Sequence, residues 1–226
     1  MRNERTTPKA ILFDLDGTLA DTIEDITFAI NAALESQHIA RITVREGKRF
    51  VGRGLRNALR NAALSRTLSV SESMLDSMME VLNSTYEQHP TQFASPYDGA
   101  IEFLKVCQTA GITVGVLSNK DHSLVVRIVE YLFPGISFRW VQGAHERYPL
   151  KPDPTTVNLF MKQHSVNNED LLFVGDSEVD ALTSINAQVR GALVSWGFRD
   201  KKVLEDSKFS PIYDTFEELR KGELFL

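Results

Sequence analysis

Five short apolar runs, most of them separated by helical patterns, set the tightest limit on how this 226-residue chain folds. They are AILF from Ala10, ITVGVL from Ile112, WVQ from Trp140, LLFVG from Leu171 and ALVSW from Ala192. Runs this short, apolar at nearly every position and partly β-branched, suit strands covered on both faces. Between them, Asp98 can cap a helix that ends at Gly111, Asp121 can start one that ends before Pro134, and Pro152 to Pro154 introduce TTVNLFMKQH. Strand and helix in alternation predict an α/β fold with a doubly wound parallel sheet.

From about Thr22 to His89 the alternation stops. TIEDITFAINAALESQ, GLRNALRNAAL and SESMLDSMMEVLNSTYEQH all carry helical spacing, with no convincing strand between them. The expectation is an inserted helical domain, residues 21–91, within a core built from residues 1–20 and 92–226. Its hinges fall at Ala20 to Asp21 and in PTQFASPYDG from Pro90, where turn formers gather. A composition 42% hydrophobic and 24% charged can bury one sizeable core and a smaller second one.

The charge pattern excludes whole classes of partner. A net charge of −5, with no run of Lys or Arg longer than a pair, offers no footprint for a nucleic-acid backbone or an anionic membrane. No apolar run approaches membrane-spanning length, and only a four-residue apolar stretch lies before Asp14, too short for a signal-peptide core. Cys107 is the single cysteine and lies among Phe103, Leu104 and Val106, as a buried structural thiol would. A cytoplasmic protein, monomer or homodimer, is expected. The five histidines show no metal-ligand spacing, and Met74, Met78 and Met79 fit a helix packing face.

The chemistry concentrates where the strands end. In ILFDLDGTLADT, Asp14 and Asp16 stand two apart and would project from one face if the extended geometry persists through Leu15. A lone pair of this kind also reads as a solvated turn after a strand. Other strand ends argue against that reading. ITVGVL delivers Ser118, Asn119 and Lys120, and LLFVG delivers Asp176 and Ser177, with Asp180 one helical turn further on. All fall on the carboxyl edge of the expected sheet, where ligands of open α/β sheets bind. Bare clustered carboxylates are costly to desolvate, whereas a bound divalent cation keeps them ionised. An all-oxygen set suits Mg²⁺, completed by water and substrate phosphate. Lys151, in YPLKPDP, adds a cation that can neutralise phosphate charge.

FDLDGTLADT, VLSNK, KPDP and VGDSEVDA, in that order from Phe13 to Ala181, resemble the four motifs of the haloacid dehalogenase superfamily of aspartate-nucleophile phosphotransferases. The resemblance implies a Rossmann-like core with an inserted α-helical cap. It also implies that Asp14 attacks phosphorus and becomes an aspartyl phosphate, while Asp16 protonates the departing alkoxide and later activates water. Mg²⁺ would be held by the Asp14 carboxylate, the Asp16 backbone carbonyl and Asp176, with Asp180 orienting Lys151 or a metal-bound water. Ser118, Asn119 and Lys151 would take the phosphoryl oxygens, and Thr18 would bond and steady Asp16. Asp21 is left to cap the first insert helix.

The second Asp of the first motif points to phosphatases and mutases. VGRGLRNAL in the insert and KPDPTTV in the core resemble phosphoglycolate phosphatases. A small phosphorylated molecule, with 2-phosphoglycolate first, is therefore the expected substrate. Pyrophosphatases, nucleotide or sugar phosphatases and phosphosugar mutases share the motifs, and a non-catalytic phosphate-binding or signalling module is the remoter alternative. Specificity must come largely from the insert, where Arg53 in Gly52-Arg53-Gly54 is the candidate reader of a substrate carboxylate. Arg45, Lys48, Arg49 and Arg56 compete for that role.

Overall fold

In the computed structural model, which describes residues 6–206, 209 and 211–225, the chain opens with β1 (Ala10–Phe13) and β2 (Ala20–Asp21). The helices α1 (Ile23–Ser36), α2 (Val44–Phe50), α3 (Leu55–Leu64) and α4 (Glu72–Gln88) follow. Next come β3 (Ser95–Pro96), α5 (Ala100–Thr109), β4 (Thr113–Asp121), α6 (His122–Leu132), β5 (Trp140–Ala144) and α7 (Thr155–His164). The described chain then continues through β6 (Leu171–Gly175), α8 (Glu178–Asn186), β7 (Arg190–Val194), α9 (Lys201–Asp206), β8 (Ile212–Tyr213) and α10 (Phe216–Glu223).

All five expected strands form, and they pair in parallel in the order β5-β4-β1-β6-β7-β8. β8 adds a sixth strand that the sequence did not announce, because two half-buried residues carry no periodic signal. β1 lies between β4 and β6 and is fully buried at every position. Its side chains alternate between the two faces of the sheet. Ile11 and Phe13 join Phe103 and Leu104 of α5, Val125 of α6 and Leu219 of α10. Ala10 and Leu12 pack with Val157 and Phe160 of α7 and with Phe173 of β6. A sheet covered on both faces holds its strand ends rigidly, which is what a reaction site needs from it. Cys107 is buried within the first cluster, and that burial pushes its thiol up to about 12, away from reactivity.

The insert has its own core. Ile26, Ile30 and Leu34 on α1, Ala58, Leu59 and Ala62 on α3, and Leu75, Met78, Leu82 and Tyr86 on α4 recur at helical spacing and meet in one cluster. Leu124 of α6 and Phe198 pack into the same cluster and join it to the sheet. The short α2 escaped the sequence reading because only Gly47 is buried in it, which leaves no apolar stripe. A capping box sets its start: Glu46 N donates to Thr43 Oγ1 at 3.2 Å and Thr43 N to Glu46 Oε2 at 2.7 Å.

Two expected caps differ. Gly99, not Asp98, occupies the cap of α5. Thr22, not Asp21, caps α1, although Ile23 N does reach Asp21 Oδ1 at 3.3 Å. Where the chain leaves the core and where it returns, β2 and β3 pair antiparallel, Ala20 opposite Pro96 and Asp21 opposite Ser95. No helix among the described residues is long and apolar enough to cross a membrane.

Candidate active site

Four chain segments meet at the carboxyl ends of β1, β4 and β6. Asp14 prolongs β1 by one ladder bond, its N–H donating to Val174 O at 2.8 Å. The chain then turns sharply: Leu19 and Ala20 both donate to Leu15 O at 3.0 Å, and Gly17 takes φ of 86°. The ladder therefore ends at Asp14, short of what a shared strand face for Asp14 and Asp16 would need. Both acids line one cleft between sheet and insert, but the turn hands each carboxylate to a different lysine.

On one side lies the set around Lys151. Its Nζ is 2.9 Å from Asp14 Oδ1 and 2.7 Å from Asp180 Oδ1, and its side chain is 3% exposed. Asn119 pins this lysine from behind, its amide accepting from Lys151 N at 2.8 Å and donating to Lys151 O at 3.0 Å. Asp180 is fixed in turn by Ser177, whose Oγ donates to its Oδ2 at 2.6 Å and whose N–H donates there at 3.1 Å. Asp176 Oδ2 accepts from Phe198 N at 2.6 Å. Only glycine fits around that carboxylate, since a Cβ on Gly17 or on Gly197 would come within 2.3 Å or 2.4 Å of Asp176 Oδ2.

Asp14, Asp176 and Asp180, all buried, can bring one carboxylate oxygen each within 4.8 Å of one another. Burial raises Asp14 well above the usual carboxylate range; Lys151 opposes the rise, and Asp180, Asp176 and Asp16 add to it. Burial and then Asp180 push Asp176 up to about 7. Lys151 stays an ammonium, because Asp14 and Asp180 together outweigh the burial that works against its charge. One ammonium cannot neutralise three carboxylates. A hard divalent cation would supply the missing charge, and the all-oxygen donor set fits one.

On the other side lies the set around Asp16. Its Oδ1 accepts from Thr22 Oγ1 at 2.5 Å and from Lys120 Nζ, and its Oδ2 accepts from Ser118 Oγ at 3.4 Å. Lys120 Nζ also donates to Tyr86 Oη at 2.5 Å and lies 4.8 Å from the centroid of that ring. Thr18, expected on Asp16, makes no such bond: its hydroxyl is buried without a partner, because the turn rotates it away and brings Thr22 round instead. Lys120 and Tyr86 carried no expected role. The lysine was visible beside Ser118, but its bond to a helix of the insert is a tertiary event without local signal.

Arg53 is 67% exposed and stands 3.8 Å from Glu178 Oε1, while its neighbours Gly52 and Gly54 line the cleft. Arg56 is bound to Glu72 at 2.9 Å and Asp76 at 2.7 Å on the insert itself. Arg199, which sequence reasoning passed over, does line the cleft and links core to insert. Its guanidinium donates to Glu178 Oε2 at 2.9 Å, Lys48 O at 3.0 Å and Val51 O at 2.8 Å.

Comparison with known proteins agrees with this geometry. Residues 11–194 match the family model described as haloacid dehalogenase-like hydrolase. Phosphoglycolate phosphatase 1 of Pseudomonas aeruginosa is 27% identical over 94% of this chain and 78% of its own length. The phosphoglycolate phosphatase of Vibrio parahaemolyticus is 28% identical over 93% of this chain and 94% of its own. A crystal structure from Lactobacillus delbrueckii subsp. bulgaricus, of a protein provisionally described as a phosphoglycolate phosphatase, superposes with a TM-score of 0.92 at 29% identity, covering 98% of this chain and 100% of that one.

Proposed function

From the premise that this chain belongs to the haloacid dehalogenase-like hydrolase family and is a phosphoric monoester hydrolase, we propose that it hydrolyses 2-phosphoglycolate in the cytoplasm, with Mg²⁺, through an aspartyl phosphate on Asp14. The observation that carries this reading is the buried set of Asp14, Lys151, Asp180 and Asp176 at the strand ends. Asp14 and Asp180 meet across a single lysine, and the set lies beside a fourth, separately held acid, Asp16. The names of the relatives support the substrate.

In the proposed reaction Asp14 attacks phosphorus in line and a P–O bond to its carboxylate forms as the ester P–O bond breaks. Asp16, once protonated, gives that proton to the departing alkoxide, then takes one from the water that attacks the aspartyl phosphate, whose P–O bond to Asp14 breaks to release phosphate and restore the carboxylate. General acid–base help of this kind contributes about 10²–10⁴-fold. Lys151 and Ser118 stabilise charge on the transferring oxygens, and Asn119 and Asp180 keep Lys151 in place. Asp14, Asp176 and the Asp16 main-chain carbonyl would hold Mg²⁺, which when bound supplies charge neutralisation and keeps the carboxylates ionised. Because no acid at position 14 means no phosphoenzyme, Asp14→Asn should lose all measurable phosphate release from 2-phosphoglycolate while keeping the wild-type melting transition. Full activity in that variant would remove the mechanism. Pyrophosphate, nucleoside monophosphates and hexose phosphates in the same assay test the substrate, since faster release from any of them would replace 2-phosphoglycolate.

A further inference from the structure

Lys120 is a buried cation to which the phosphoryl chemistry gives no task. Its side chain is 2% exposed, its Nζ rests between Asp16 Oδ1 and Tyr86 Oη, and it lines the cleft. The other cations lining the cleft, among the described residues, are Lys151 and Arg199. Lys151 is committed to Asp14 and Asp180. Arg199 spends donors on Glu178, Lys48 O and Val51 O. The Asp16 side of the cleft thus has one ammonium at its wall, opposite the side where three carboxylates would repel a second anion on a substrate.

Resting on the reading that Asp16 serves the ester oxygen of 2-phosphoglycolate, we infer that Lys120 is a specificity-determining residue that receives the substrate carboxylate. The chemistry follows from connectivity. In 2-phosphoglycolate the carboxylate is attached to the same carbon as the ester oxygen. A side chain bonded to that oxygen, and a cation bonded to that side chain, therefore bracket the place where the carboxylate must lie. Tyr86 holds the ammonium from its far side, so Nζ keeps its position when Asp16 turns to the ester oxygen. A charge-assisted bond to the substrate then takes the place of the bond to Asp16. The substrate class is that of α-phosphoryloxy carboxylates, and an alkyl phosphate whose alkyl group is uncharged would leave Lys120 without a new anion, an unfavourable state for a buried charge. Tyr86 lies on α4, so this subsite is complete only with the insert seated on the core.

The test compares kcat/KM for 2-phosphoglycolate and ethyl phosphate, with Mg²⁺ present, in the wild type and in Lys120→Met, Lys120→Arg and Tyr86→Phe. The wild type should favour 2-phosphoglycolate by at least 100-fold. Lys120→Met should shrink that ratio tenfold or more, mainly through KM, Lys120→Arg should restore part of it, and Tyr86→Phe should lower it about threefold. Equal losses on both substrates in Lys120→Met would overturn the inference, since the lysine would then act only through Asp16. A wild-type preference that survives Lys120→Met overturns the inference alone, whereas a wild type with no preference overturns the phosphoglycolate reading as well. Should Lys120→Met fail to melt cooperatively, an unchanged ratio in Tyr86→Phe is the contrary result.

Discussion

The two lysines of the cleft are buried to nearly the same degree and differ in almost everything else. Lys151 is held by acids and an amide that all come from the core: Asp14 just after β1, Asn119 of β4 and Asp180 of α8. Lys120 is held between an acid of the core and a tyrosine of the insert. The first arrangement is fixed before any substrate arrives, whereas the second is assembled across a boundary. A site divided this way can keep one chemistry on the core half and change its substrate on the other, because side chains that touch only the boundary are free to vary.

The sharpest way to break that contrast is to remove each ammonium in turn. Lys151→Met should reduce kcat about 10³-fold for every phosphate ester alike, since it stabilises charge common to all of them. A loss restricted to 2-phosphoglycolate would show that the two lysines are not divided as described. Next in size is the crowding around Asp176. Gly17→Ala or Gly197→Ala puts a methyl group into its carboxylate and should cost about 1–3 kcal/mol of stability, with activity falling at least tenfold. Wild-type melting and turnover in both variants would show that the carboxylate has room to move.

The acids predict a pH dependence whose sign can be worked out. Asp176 rises from an ordinary 3.8 to about 7 in the folded protein, so the native state binds its proton more tightly than the unfolded chain does. The stability this contributes is complete below about pH 4 and is lost as the pH rises towards 7. A divalent cation binds the ionised form, so its stabilising effect should grow over the same interval. At one fixed Mg²⁺ concentration, the gain in Tm should be larger at pH 8 than at pH 5.5, by about 4–8 °C. A gain independent of pH would detach Asp176 from the metal. The smallest effects sharpen the comparison on the Asp16 side. Thr22→Val removes a bond to Asp16 and should cost about 1 kcal/mol with a several-fold loss of kcat, whereas Thr18→Val, at a hydroxyl without a partner, should stay within about 0.5 kcal/mol.

The same division explains what could be read in the sequence. Asp14, Asp176 and Lys151 could be placed because each follows from chain-local features: an apolar run that ends, a turn, a proline-rich loop. The sheet was legible for the same reason, except at β8, and the insert helices were legible wherever they carry an apolar stripe, which α2 does not. The partners of Asp16 were not legible. Thr22 stands at the cap of α1, yet its side chain does not bond the helix and goes to Asp16. That departure from local preference is what a functional demand leaves behind, and it becomes visible only once the turn is known. Arg199 is 148 positions from the carbonyl of Val51 that it bonds, and no spacing in the chain marks such a pair.

The small ribbon of β2 and β3 has a consequence for how such a molecule can be altered. Because Ala20 and Asp21 lie against Pro96 and Ser95, the whole insert leaves and re-enters the core at neighbouring points. To the sheet it is a closed loop whose ends are already pinned, and the entropy of closing a loop grows only with the logarithm of its length. Lengthening, shortening or exchanging everything between Asp21 and Ser95 therefore asks little of the strands. What such an exchange forfeits lies at the seam with the core and includes the hydroxyl of Thr22, the phenol of Tyr86, the two carbonyls that Arg199 holds and the apolar packing of Leu124 and Phe198.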